Sequence, residues 1–446
     1  MRNHFLKGIL LLGAAAFLGE CVEFFINMIL AKELGEQGMG MYMTILPLIM
    51  LVVVIANLEL PVSISKFVAE KNSSYHYSML KAAMKFSFLF TCIFLTVVFA
   101  ALPFLSVFEG YHPAVKWLCA AVVPIVAASS IARGYFMGVQ EMGKIAVSGF
   151  LRKAFQLLFL FLIFKGMTFD LNTSLLVALC AMIGSELLVC FYLIFHYLLQ
   201  YRQLREGDKV FLSGKEVRKN LLSVSLPTTG LRIFHSITNA IEPFLVKSAL
   251  IASGMTGILA TEQFGMMAGV AMTIGFFPAF IAHSLMVALI PNVSEAYSKR
   301  NFATLQKLLQ QAMWITFLYG VPSVFMMYQL AEPLTSLFFH SSEAAWYLKL
   351  LWPYFLFHFF VIPMQAYLIG LGLVKDAFIH TVWSHTISFS MMFWLGSLST
   401  LQMEGIILGM NMGAVLLTLL HYAAICKKIG FTMFLGRNQS PAQLRP

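Results

Sequence analysis

Four residues in one oily stretch set the chemistry of this chain: Arg232, His235, Asn239 and Glu242. They lie in LLSVSLPTTGLRIFHSITNAIEPFLVKSAL, residues 221–250, a run long and apolar enough to cross a bilayer. At about 100° of turn per residue the four fall within roughly 80° of helical circumference. Lipid offers such a stripe no partner, so it must face protein or a water-filled cavity. An arginine there can hold an anion through a forked, charge-assisted contact. A carboxylate there can carry a proton or a cation. We read the stripe as half of a central substrate or ion site.

A second stripe completes it. Glu20, Glu23 and Asn27 occupy one face of the first apolar run. Each intramembrane charge costs at least about 2.5–3.5 kcal/mol on insertion scales, so Arg232 is expected to pair with Glu20 or Glu23. Glu242 precedes Pro243, and Pro227 stands a few turns earlier. A proline frees a carbonyl one turn upstream, which lets a span bend or offers an oxygen to a cation. Glu186, mid-span, is a candidate proton relay, and Glu59 is read as reaching the interface near the end of its span. His283, His358, His380 and His385 are dispersed and read as packing histidines, and Gly265 and Gly269 as a close-packing GxxxG.

The motifs that would signal enzyme chemistry are missing. Walker A, HExxH and GxSxG patterns are absent, and the six cysteines show no CxxC spacing. No catalytic residue, metal or cofactor is expected, with H+ or Na+ as the candidate coupling ion.

The elements that must position these groups follow from composition. The 446 residues are 59% hydrophobic and 11% charged, whereas a soluble domain carries about a quarter charged residues. Twelve spans are expected near 9–31, 41–64, 82–105, 115–138, 146–166, 172–200, 221–250, 264–290, 309–330, 346–371, 377–399 and 405–426. The N-terminus opens like a signal peptide, yet its apolar run continues to Ala31 and reads as a first spanning helix. The net charge of +10 is topological: 24 of the 30 basic residues fall in alternate connectors and the termini, against 5 in the other connectors. That bias puts both termini and the linker 201–220 in the cytoplasm of a multi-pass cell-membrane protein.

The halves also repeat. Tyr135 and Gly138 match Tyr367 and Gly370, and Pro61 matches Pro291, at nearly one offset. The expected fold is an all-α polytopic membrane protein: twelve transmembrane helices in two parallel-repeat six-helix bundles around a central cavity. The expected division is a bundle over 1–200, a cytoplasmic linker 201–220, a bundle over 221–430 and a cytoplasmic tail 431–446.

The segments LGEQGMGMY (34–42), LPVSISKFVAE (60–70), RGYFMGVQEMGKIAVSGFLRK (133–153) and FFPAFIAHSLMVALIPNVSEAYSKRN (276–301) carry a resemblance. The chain resembles the polysaccharide transporter branch of the multidrug/oligosaccharidyl-lipid/polysaccharide exporter superfamily, and within it the stage V sporulation protein B group with its shorter relatives. The resemblance implies a V-shaped cavity and flipping of lipid-linked sugars by alternating access. By position it implies that Glu20, Glu23, Asn27, Arg232 and Glu242 line the cavity. Peptidoglycan-precursor flippases of a sister branch use several cavity arginines, whereas here only Arg232 lies deep in a span.

The leading expectation is a flippase of lipid-linked oligosaccharide or peptidoglycan-type precursors, serving cell-envelope or spore-cortex synthesis. Arg133, Arg152 and Lys153 would draw the anionic headgroup to the cytoplasmic mouth. The alternatives are a proton- or sodium-coupled antiporter of small cationic compounds and a non-transporting scaffold. The expected partners are the lipid-linked substrate and cell-wall or sporulation synthesis proteins, with no nucleic acid.

Overall fold

A run of about twenty apolar residues crosses lipid only as a helix, which satisfies every backbone N–H and C=O within the segment. The computed structural model describes the backbone of residues 2–206, 210, 212–338 and 342–430, with side chains from Phe17 onward except at 216, 224, 227, 228, 231, 287 and 342. The expected tail 431–446 lies outside the described residues, as does the side chain of Pro227.

The elements are helices. The first half holds α1 (Arg2–Asn57), α2 (Leu60–Glu70), α3 (Ser73–Ala101), α4 (Ala114–Gly138), α5 (Met142–Gly166) and α6 (Leu171–Glu206). The second holds α7 (Gly214–Ala252), α8 (Gly257–Gly265), a π-helical turn over Met266–Ala271, α9 (Met272–Phe276) and α10 (Ala279–Ser298). It continues with α11 (Phe302–Gln329), α12 (Ala331–Thr335), α13 (Ser342–Leu350), α14 (Trp352–Gly370), α15 (Val374–Gly396) and α16 (Met403–Ile429). They carry the twelve expected spans. Eight stretches among the described residues are long and apolar enough to cross a membrane.

The first two spans meet where expected: α1 is two helices joined across a kink at Gly35, where φ is 68° and only glycine is at ease. The second span is also interrupted at Leu58 and Glu59, with φ of 47° and 45°. A left-handed non-glycine residue costs on the order of 1–3 kcal/mol, so the surroundings must hold this turn in place. Pro61 then starts α2, where its missing N–H costs nothing. The eighth span is assembled from α8, the π turn, α9 and α10.

The linker 201–220 is mostly helical. α6 has 36 residues and α7 has 39, so each is roughly 55 Å long against a hydrocarbon core of about 30 Å. The connector between them is tied to α3, with Val210 N–H donating to the Ser74 carbonyl at 3.0 Å and Leu212 N–H to Ser78 Oγ at 2.8 Å.

Packing divides the chain into two compact units, Met41–Ile241 and Met1–Gly40 with Glu242–Pro446. This differs from the expected halves: the opening of α1 groups with the C-terminal helices, and most of α7 with the N-terminal ones. Each unit has its own core. One gathers Leu60, Ile64, Val68, Tyr135, Phe136 and Leu193, and the other Leu289, Val293, Leu305, Tyr367 and Leu368. The repeat is visible in both. A Cβ on Gly138 would stand 2.5 Å from Val68 Cβ, and one on Gly370 would stand 2.7 Å from Val293 Cβ. Each half therefore seats a glycine of its fourth span on a valine of its second. Outward faces are apolar, with Phe88 and Ile93 on α3 and Leu318 and Phe325 on α11 exposed, as lipid-facing residues must be.

Candidate functional site

In the unit Met41–Ile241, Arg232 on α7 donates from Nη1 to Glu59 Oε1 at 2.5 Å. This corrects the reading of Glu59. Glu59 does not reach an interface; its side chain is 6% exposed, at the left-handed turn between α1 and α2. Asn57 Nδ2 also approaches Glu59 Oε1, at 3.5 Å. A carboxylate so buried needs a cation to offset its lost hydration. Arg232 provides it while its side chain stays 60% exposed. Nη1 is one corner of a five-donor fork, so the guanidinium keeps N–H groups for a second anion.

Two residues assigned to different roles also meet. Arg152 Nη1 on α5 lies 3.5 Å from Glu186 Oε1 on α6, and the side chains are 33% and 22% exposed. Lys153 and Arg133 are half-buried on α5 and α4. His235 is half-buried, and Asn239 is exposed on the same α7 stripe.

Between α4 and α5, Glu141 sits beside a cavity of about 460 Å³ that is also lined by Ser73, Ser74, Tyr135, Gln200 and Gln203. Lys144 Nζ approaches its carboxylate at 2.5 Å, and Gln200 Nε2 donates to it at 2.6 Å. The Lys144 contact, with Gln200 adding to it against the effect of burial, holds the Glu141 carboxyl below its usual range.

The other unit holds Glu20, Glu23 and Asn27, half-buried on α1. Their helix is anchored by aromatic contacts: Phe24 packs on Phe277 and Phe338 at 5.7 and 5.2 Å between ring centres, and Phe17 on Phe280 at 5.2 Å. Glu242 is half-buried, ahead of the buried Pro243. Tyr354 of α14 lies within electrostatic reach of Glu242 and stacks obliquely on His358 at 5.1 Å. His283 and His385 lie within electrostatic reach of His358, and His380 Nδ1 is 3.2 Å from His421 Nδ1. The dispersed histidines thus gather into two groups, a pairing invisible in sequence because each partner sits on a different helix. Among the described residues no group of three or more His, Cys, Asp or Glu is placed to hold a metal ion.

Long apolar helices that carry charged side chains within them define a multi-span membrane protein. Residues 5–259 match the family described as polysaccharide biosynthesis protein, and residues 243–387 match the MatE family. The chain belongs to the polysaccharide biosynthesis protein family. It is 56% identical to sporulation protein YkvU of Bacillus subtilis (strain 168), over 98% of this chain and 99% of the other. It is 31% identical to stage V sporulation protein B of the same organism, over 96% and 84%. It is 26% identical to that organism's lipid II flippase MurJ, over 65% and 57%. The fold is similar to that of a solved structure described as the inward-facing conformation of a multidrug resistance MATE family transporter of the MOP superfamily, with a TM-score of 0.73, 16% identity and coverage of 92% of this chain and 94% of the other.

Proposed function

We propose that this protein flips lipid-linked oligosaccharide or peptidoglycan-type precursors across the cell membrane by alternating access, in envelope or spore-cortex synthesis. One observation carries the reading: in a polysaccharide-biosynthesis chain, a span places an arginine whose fork is tethered at one corner and open elsewhere. An anionic pyrophosphate fits that fork, while the sugars need only a wet passage and the lipid tail stays in the bilayer. Arg133, Arg152 and Lys153 would concentrate the headgroup near the inner mouth, Arg152 while paired with Glu186. The basic connectors support cytoplasmic termini. H+ or Na+ would drive the cycle through Glu20, Glu23 or Glu242, with no cofactor and no covalent chemistry.

The test is reconstitution. The full chain in phosphatidylethanolamine/phosphatidylglycerol vesicles is given a fluorescent polyprenyl-pyrophosphate-linked N-acetylglucosamine. Protein-dependent exposure of the probe on the far leaflet is expected, with a loss of at least tenfold in Arg232→Ala; unchanged flipping in that variant removes Arg232 from the mechanism.

A second reading has its own support. The acids Glu20, Glu23 and Glu242 outnumber the one arginine deep in a span, which suits an antiporter of small cations. Ethidium efflux that is lost in a Glu20→Gln/Glu23→Gln double variant, with no transfer of the lipid probe by wild type, would select it.

A further inference from the structure

We propose that Glu59 is a resident stand-in for the cargo's phosphate: it holds Arg232 until a pyrophosphate-bearing lipid takes its place, and so sets the site's selectivity. The inference deepens the flippase reading and rests on it.

The geometry sets up an exchange. Glu59 meets Arg232 through a single oxygen–nitrogen contact of 2.5 Å. The carboxylate is almost wholly enclosed while the guanidinium is mostly open, so an arriving anion meets the arginine and not the acid. An anion on the open N–H groups stands within a few ångströms of the Glu59 carboxylate and is repelled by it, so full engagement of the fork requires Glu59 to yield. A ligand wins only if it engages the fork at more corners than Glu59 does. A pyrophosphate has the oxygens to do so, and a lipid tail adds binding that a free anion lacks. Free inorganic phosphate or pyrophosphate lacks that second hold and stays excluded.

The backbone suits release. Leu58 and Glu59 are both left-handed, and Glu59 makes no side-chain cap to α2. The acid therefore sits on a turn between helices, where it can swing without breaking a helical hydrogen bond. Arg232 faces it from α7 and Asn57 from α1. Leu58 and Leu60 on either side of it belong to an apolar core that also holds Ile131, Ala132 and Leu221. The nearest charge on α4 is Arg133, next to Gly134, which rests on Pro61; no ion pair joins Arg133 to Glu59 among the described residues. On leaving Arg232 the carboxylate keeps Asn57 beside it.

The test measures binding apart from flipping. The full chain in lipid nanodiscs is titrated with the fluorescent polyprenyl-pyrophosphate-linked N-acetylglucosamine, with a neutral polyprenyl glycoside, and with inorganic pyrophosphate as competitor. Glu59→Gln is expected to bind the pyrophosphate-bearing lipid roughly tenfold tighter, to leave the neutral lipid unchanged, and to let inorganic pyrophosphate compete. Glu59→Asp, which keeps the charge, should behave as wild type and shows that a merely disturbed turn is not the cause. In an Arg232→Ala background, Glu59→Gln should change nothing. Equal or weaker binding by Glu59→Gln overturns the proposal. So does equal tightening for the neutral lipid, or a gain that survives Arg232→Ala. If wild type flips no probe and Glu59→Gln still tightens selectively, the flippase reading falls while the exchange stands. If wild type flips but Glu59→Gln binds as wild type does, the exchange falls alone. If no variant binds any probe, both fall.

Discussion

Gly265 of α8 lies against Gly40 of α1: a Cβ on Gly265 would stand 2.4 Å from the Gly40 nitrogen and 2.7 Å from the Glu36 carbonyl oxygen. Backbone atoms cannot step aside as a flexible side chain can. Gly265→Ala should therefore cost about 1–3 kcal/mol and lower the melting temperature in detergent. Gly143→Ala, which meets nothing within 4 Å, should stay within about 0.5 kcal/mol of wild type. Equal melting of the two variants would refute the close crossing.

The Arg152–Glu186 pair is expected to be structural. Glu186→Gln leaves Arg152 without its counter-ion, at a cost of about 1 kcal/mol given the partial exposure of both. The exchanged pair Arg152→Glu/Glu186→Arg should recover most of that loss in a double-mutant cycle. A proton relay predicts the opposite pattern, with normal stability and lost pH coupling of transport.

Glu141 gives a pH dependence with a definite sign. Its folded carboxyl titrates below the usual 4.5, so its stabilisation is present above that pH and is lost as pH falls through the lower folded value. The side chain is 37% exposed, which limits the effect to about 0.2–1 kcal/mol. Glu141→Gln should melt earlier than wild type at pH 7, and the gap should close as pH drops below 4.5. A gap that widens in acid would reverse the assignment.

Tyr367 donates its buried hydroxyl to the Leu305 carbonyl at 2.9 Å. Tyr367→Phe should cost about 0.5–1.5 kcal/mol, read as a shift in the melting curve with normal membrane insertion. Unchanged melting would mean the bond adds nothing net.

The fold was legible because lipid enforces it. Apolar run length and the alternation of basic connectors leave little freedom, and the matched Tyr135/Gly138 and Tyr367/Gly370 segments play matching packing roles. Helix breaks were less evenly legible: Gly35 marks the junction of the first two spans, while Leu58 and Glu59 break the second span with no glycine to mark it. Charge pairing was least legible. Periodicity reports which face of a helix a residue occupies, not which neighbour that face meets, so it does not show Glu59 as a partner of Arg232. The signal lay in the chain, as an acid flanked by leucines two residues before Pro61. The histidine groups escaped for the same reason, since His380 and His421 meet only when α15 and α16 pack.

The order of the chain and the order of its packing disagree, and that limits how the molecule can be taken apart. Severed near residue 210, it would not yield two self-sufficient pieces. The front fragment would carry Phe17 and Phe24 without Phe277, Phe280 and Phe338, and the rear one would carry Arg232 without Glu59. Each piece finishes the other's interior, so the two would have to be made together in one membrane before either could mature.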